Sequence, residues 1–253
     1  MPQAHAIFQA TLVMLLLAIP SQAATSNNTM LAWAVLAENY HHLYISTRVQ
    51  GQWSKPELVT KSKSPIITPS LSSDSRGNVW LVYIEPEAST GRLRIKKRSN
   101  NQWVDLPRVD VNTQNDWGPS ILIDRKSTTW LAWVGYDGKD DDIYYTHWTG
   151  DAWKAPARVN TDDDWPDVKP ILLLGDDGKP EIRWSGYNGS KYVQFVSRWN
   201  GNTWSPEKIA INPFAAPAPL KASLPNFLTD KTQAALHIPN LVGIQSTRLS
   251  NYD

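Results

Sequence analysis

The sequence has no cysteine, which excludes a disulfide framework, a structural zinc site built on thiolates and a catalytic cysteine. An excess of either charge is missing too, since 25 Lys and Arg stand against 24 Asp and Glu. The basic residues form no run longer than Lys96-Lys97-Arg98, and without extended clusters of Lys and Arg to neutralise phosphates the sequence argues against nucleic acid as a main partner. The chain holds no phosphate-cradling glycine loop, HxxxH zinc pair, nucleophile elbow or amphipathic helical stretch. Phenylalanine is scarce at 4 residues, but 9 Tyr and 13 Trp compensate, and a 41% hydrophobic fraction excludes a disordered chain. The 253 residues suit one domain of about 200–250 residues, a size that all-β folds reach.

Long apolar runs are scarce as well. Thr11 to Ile19 is shorter than the roughly 20 residues that cross a bilayer, and Pro20 and Ser21-Gln22-Ala23 follow it as a small-x-small cleavage pattern. Residues 1–23 therefore read as a secretory signal peptide, although the leading stretch carries only His5 where a positive region is usual. Its removal implies an exported chain, periplasmic or secreted, with no membrane span left after cleavage. No cysteine follows the run, so a lipobox anchor is excluded.

Repetition is what the sequence has in abundance. Trp53, Trp103, Trp153 and Trp204 recur at intervals of 50, 50 and 51 residues, each after a short polar turn. Trp33, Tyr83, Trp133 and Trp184 keep the same intervals, with Leu31, Leu81, Leu131 and Ile182 two residues ahead. Both aromatic columns are expected in the core. The units are β in character: Val79 to Ile84 is apolar on both alternating faces, as in a strand covered on both sides. Arg92 to Arg98 and Ile143 to Trp148 follow as further strands, then turn residues that tolerate positive φ, then an outer strand such as Trp153 to Val159. Pro56, Pro107, Pro156 and Pro206 recur there, and proline belongs on a sheet edge.

Repeated four-stranded antiparallel meanders of about 50 residues specify an all-β fold, a β-propeller of about five blades. The units span approximately 30–60, 65–110, 115–160, 166–210 and 222–253, in a single domain over residues 24–253. The first unit lacks its innermost strand and the last its outermost, so the terminal blades are incomplete. Ile211 to Ser223 is a Pro/Ala-rich linker before the last unit.

The runs Asp74-Ser75-Arg76-Gly77-Asn78-Val79-Trp80, Trp133-Val134-Gly135-Tyr136-Asp137-Gly138 and Asp142-Ile143-Tyr144-Tyr145 resemble exported bacterial propellers with BNR or Asp-box-like repeats, related in fold to sialidases. The match to Ser-x-Asp-x-Gly-x-x-Trp is inexact, because Gly77 comes one residue late and Asp124-Arg125-Lys126-Ser127 has no glycine. The resemblance implies a propeller; that fold hosts glycosidases, lyases, lectins and scaffolds alike.

Alternating strand direction puts the loops between second and third strands on one side with the connections between units. That rim collects Asp116-Trp117 and Asp164-Trp165 from connections, and Tyr136-Asp137 and Tyr187-Asn188 from loops. Flat aromatic faces beside planar donors and acceptors suit sugars, so these residues are candidate ligand contacts; packing against the neighbouring blade is the alternative role. Unit two carries Ile66-Ile67 and Glu85-Pro86 instead, so the fold does not require the aromatic set.

Arg183 stands where other units have Ala32, Val82 and Ala132 and is expected to pair with Glu181 or to contact an anionic ligand. Asp140-Asp141-Asp142 and Asp162-Asp163-Asp164 offer oxygen ligands for Ca²⁺, the one cofactor considered, but without the spacing of a dedicated calcium loop they read as solvated turns. His41-His42 is an isolated pair and a weak metal candidate. No catalytic residue can be assigned, since the arginine clamp and Tyr–Glu pair of sialidases are not placeable. Three functions stay open: a non-catalytic glycan-recognition module, a sialidase-like or other glycan-processing enzyme, and an envelope protein-interaction scaffold.

Overall fold

The structure, a computed structural model, describes residues 29–50, 52–74 and 76–210 and the backbone of Ile19–Pro20. The linker, the fifth unit and the rest of the signal segment lie outside the described residues. Four antiparallel sheets follow one another along the chain, and the fold is a β-propeller. The first sheet holds β1 (Ile19–Pro20), β2 (Thr29–Ala37), β3 (Tyr40–Val49), β4 (Gln52–Trp53) and β5 (Glu57–Ser62). The second holds β6 (Ile67–Ser73), β7 (Val79–Glu87), β8 (Thr90–Ser99) and β9 (Gln102–Asp105). The third runs β10 (Asn115–Ile123), β11 (Thr129–Tyr136), β12 (Asp141–His147), β13 (Ala157–Arg158). The fourth runs β14 (Asp167–Leu174), β15 (Pro180–Tyr187), β16 (Tyr192–Arg198), β17 (Lys208–Ile209). Among the described residues no helix is long and apolar enough to cross a membrane.

Strands β7 and β11 are buried on both faces, as their unbroken apolar sequence requires. One face of each blade packs on the blade before it and the other on the blade after, giving three apolar clusters between four sheets. In the second seam Trp80 meets Trp148 and Trp153 from the next blade at ring-centroid distances of 5.7 and 6.1 Å. In the third seam Trp130 meets Trp199 and Trp204 at 4.9 and 5.9 Å. All four contacts are edge-to-face, the arrangement that places a ring's positive edge on its neighbour's negative face. The column Trp33, Tyr83, Trp133 and Trp184 is buried. Trp53, Trp103, Trp153 and Trp204 are only half-buried, contrary to the expectation that they would be core, and the last three pack against the margins of the three clusters.

The outer strands are shorter than the sequence suggests. Trp153 to Val159 is reduced to a single bridge between Trp148 and Trp153 and the two residues of β13, because Pro156 interrupts the ladder. In the second blade β9 likewise stops at Asp105, ahead of Pro107. The inner strands hold a feature not expected from sequence: β6, β10 and β14 each slip register near their start. Thr68, Gly118 and Lys169 sit at these bulges with φ of 47°, 56° and 57°. A bulge bends its strand, so the segments before Ser70, Ser120 and Ile171 depart from the line of the strand that follows.

Adjacent blades are also stitched at their inner strands. The amides of Ile121 and Ile123 donate to the hydroxyls of Ser70 and Ser72 at 3.2 and 3.0 Å, and the amide of Leu172 donates to Ser120 at 3.0 Å. At the opposite end of the blades, Asp74 and Asp124 close tight turns by accepting two backbone N–H groups each, at 2.8–2.9 Å. Ser127, at φ 63°, takes the left-handed conformation that Gly77 supplies at φ 83° in the second blade, which is how the third turn forms without glycine.

Candidate functional site

Loop length separates the blades at the rim. In the first and second blades two-residue turns, Glu38-Asn39 and Ala88-Ser89, join the central strands. In the third and fourth, Tyr136 pairs with Asp141 and Tyr187 with Tyr192, which leaves four-residue loops that project further. Gly138 at φ 109° and Gly189 at φ 85° make the loops' reversals possible.

The fourth-blade loop and the connection before it build an aromatic shelf. Trp165 is 45% exposed and tilts against Tyr187 with centroids 5.0 Å apart, and Tyr187 in turn meets the 55% exposed Tyr192 edge-on at 5.5 Å. Asp163 fixes the shelf by accepting the Trp165 backbone N–H at 2.8 Å, and Asn188 folds its own loop by accepting the Ser190 and Lys191 amides. Lys139 reaches across from the third blade to Asp164 at 2.5 Å. Trp165, Tyr187, Asn188 and Asp164 are thus gathered at one edge; Tyr192 belongs with them and was not among the residues singled out from sequence. Its signal was its place opposite Tyr187 at the far end of the loop.

The remaining candidates have other surroundings. Trp117 is half-buried against the third core cluster, and its indole N–H donates to Asp141 at 3.2 Å. Tyr136 is half-buried at the end of β11, and Asp137 is exposed in the loop beyond it. Asp116 is buried at 1% exposure beneath the rim, where it accepts the Trp133 indole N–H at 3.1 Å and the Thr113 hydroxyl at 2.5 Å, with Arg92 at 3.5 Å. Its counterpart in the next blade is not Asp164 but Asp167, which accepts the Trp184 indole N–H at 2.7 Å. Arg183 lies mid-strand opposite Ile171 and Val196, where its guanidinium donates to buried Glu181 at 2.5 Å, as expected of an ion pair.

Asn160 ties the two blades together below the shelf. It donates to Asp142 at 2.8 Å and to Asp167 at 2.7 Å, while Arg158 donates to the other oxygen of Asp142 at 2.7 Å. Burial pushes the Asp167 carboxyl up to about 7; the Trp184 hydrogen bond opposes this, and the charges of Glu207, Asp163 and Asp142 add to it. Burial also raises Asp142 and Asp116 above the usual carboxylate range. A raised folded-state value means that the folded protein binds a proton which the unfolded chain, titrating near 3.8, has already released. The stability from Asp167 is therefore complete at low pH and is lost as pH rises through about 7. Denaturant unfolding should show a loss of about 1 kcal/mol between roughly pH 6.5 and 8, largely absent from Asp167→Asn. His147, lowered by burial, acts in the opposite sense as pH rises through the unfolded imidazole's 6.5, at the acid edge of that window, so the Asp167 contribution is read as the difference between wild type and Asp167→Asn.

A concavity of about 580 Å³ opens between the third and fourth blades on the opposite side, at the Asp124 and Asp177 turns, with Trp130, His147 and Trp199 in its wall.

No protein-family model and no curated protein matches the sequence. Solved structures do match in fold. A protein of unknown function from Dyadobacter fermentans aligns with a TM-score of 0.62 at 10% identity, over 78% of this chain and 68% of that one. An endo-arabinase from Bacteroides thetaiotaomicron gives 0.52 at 16% identity, over 80% and 82%. An α-L-arabinofuranosidase from Fusarium graminearum gives 0.54 at 12% identity over 72% of this chain, which spans 61% of the enzyme's length.

Proposed function

We propose that this chain is an exported carbohydrate-recognition propeller that stacks a sugar on the Trp165–Tyr187–Tyr192 shelf. The carrying observation is the exposure of Trp165 and Tyr192 on either side of Tyr187, an apolar surface left open to solvent where the first two blades have only tight turns. Pyranose and furanose rings offer C–H faces that cover such rings, and Asn188, Lys139 and Asp164 border the shelf with polar groups for hydroxyls. Two of the matching structures are an endo-arabinase and an α-L-arabinofuranosidase, which supports a carbohydrate ligand and makes arabinose-containing oligosaccharides the first probes.

Recognition without turnover is favoured by the occupation of two buried rim carboxylates, Asp116 and Asp167. Glycoside hydrolysis takes a pair of carboxyl groups facing the bond to be broken. Asp116 and Asp167 are instead occupied by the indoles of Trp133 and Trp184. A glycan array followed by calorimetry on the best hit should give binding that Trp165→Ala/Tyr192→Ala weakens at least about tenfold, the melting temperature staying near that of the wild type. Undiminished affinity in the double variant would move the ligand elsewhere on the molecule. Release of reducing sugar from arabinan by the full chain would replace recognition with hydrolysis.

A further inference from the structure

Asp140 is buried at 8% exposure, and neither of its carboxylate oxygens has a hydrogen-bond partner. An ionised carboxylate withdrawn from water without a donor or a cation is costly enough that proteins almost always supply one. What faces it is more negative charge: one oxygen each from Asp137, Asp140 and Asp142 lie within 4.8 Å of one another. We propose that the loop joining β11 to β12 binds one hard divalent cation of calcium's size through Asp137, Asp140 and Asp142.

The geometry fits that ion. Calcium takes oxygen ligands at about 2.3–2.6 Å, so two oxygens on one ion stand at most about 4.6–5.2 Å apart, and the three oxygens of this cluster lie inside that limit. The loop is shaped for convergence: Gly138 at φ 109° reverses the chain, and the Asp137 carboxylate anchors it by accepting the Lys139 amide at 3.0 Å. Asp142 is already oriented by Arg158 and Asn160, and each of its oxygens keeps a second lone pair. Arg158 balances only part of the charge, and the Lys139 ammonium is turned away to Asp164. Burial, then Asp142 and Asp137, raise the Asp140 carboxyl above its ordinary range, as expected where negative charge outruns its compensation. Consecutive strand residues point to opposite faces, which is why Asp141 leaves the group for Trp117 and why the acidic triplet is not itself the site.

Calorimetry on the chelator-treated full chain with calcium chloride alone, no sugar present, tests this. One equivalent is expected to bind with a dissociation constant of about 10⁻⁵–10⁻³ M. Saturation should raise the melting temperature by about 5 °C. Asp140→Asn should melt higher than metal-free wild type, because the uncompensated charge is gone, and should lose the calcium increment. The exposed Asp137→Asn, which leaves folding undisturbed, should weaken binding about tenfold or more. Asp163→Asn, keeping its cap on the Trp165 amide, should bind as wild type does. No heat and no thermal shift up to about 10 mM calcium, or unchanged binding in both Asp140→Asn and Asp137→Asn, overturns the proposal. Because no glycan enters the experiment, its failure leaves the recognition reading intact, and the converse holds.

Discussion

Trp130→Ala should remove about 3–5 kcal/mol of folding free energy, the cost of emptying a large buried site that cannot collapse. The indole is 4% exposed, lies edge-on to Trp199 and Trp204, and donates its N–H to Asp124 at 2.9 Å. Its loss therefore opens the seam between third and fourth blades and also frees the turn that Asp124 closes. Chemical denaturation with tryptophan fluorescence measures this directly; a loss below about 1 kcal/mol would mean that the triad is packing without consequence. The same column carries Trp80 in the second blade and Glu181 in the fourth, so the aromatic interlock spans two seams and then changes to ionic chemistry.

Gly186→Ala is the second large effect, about 3 kcal/mol from overpacking and a broken buried hydrogen bond together. A Cβ at this position would stand 2.1 Å from the Asp167 Oδ1 that holds Trp184, and 2.7 Å from the Phe195 ring. Gly135 is placed in the same way, 2.4 Å from Thr113 and 2.8 Å from Tyr144, and Gly135→Ala should behave alike. Gly77 is the control: no atom lies within 4 Å, yet φ is +83°, so Gly77→Ala should cost only the roughly 1 kcal/mol of a left-handed backbone. Equal losses at Gly77 and Gly186 would show that contact with Asp167 is not what excludes a side chain.

The propeller was legible because its core columns repeat at fixed intervals, and because Val79 to Ile84 and Thr129 to Val134 can only be strands covered on both faces. The bulges at Thr68, Gly118 and Lys169 were missed although a signal was present: each is followed by a proline, Pro69, Pro119 or Pro170, and a residue without an amide proton interrupts the ladder where it stands. The placement of Trp165 and Tyr187 along one rim followed from strand alternation. The pairing of Asp116 with Asp164 was misled by the shared Asp-Trp dipeptide. The usable signal was longer in range: Asp116 and Asp167 each stand 17 residues before a tryptophan that carries a glycine two places on. That spacing reports a buried latch, which the chemistry of the dipeptide alone does not reveal.

The serine stitches at Ser70, Ser72 and Ser120 bear on how these sheets avoid misassembly. The free border of a sheet displays alternate amides that recruit stray extended chains and seed aggregation. Along β10 those amides, Ile121 and Ile123, are already satisfied by hydroxyls of the preceding blade, and Leu172 on β14 likewise. The borders nearest the axis are thereby closed to templating by the neighbouring wedge itself, in addition to the prolines Pro69, Pro119 and Pro170 that these strands carry.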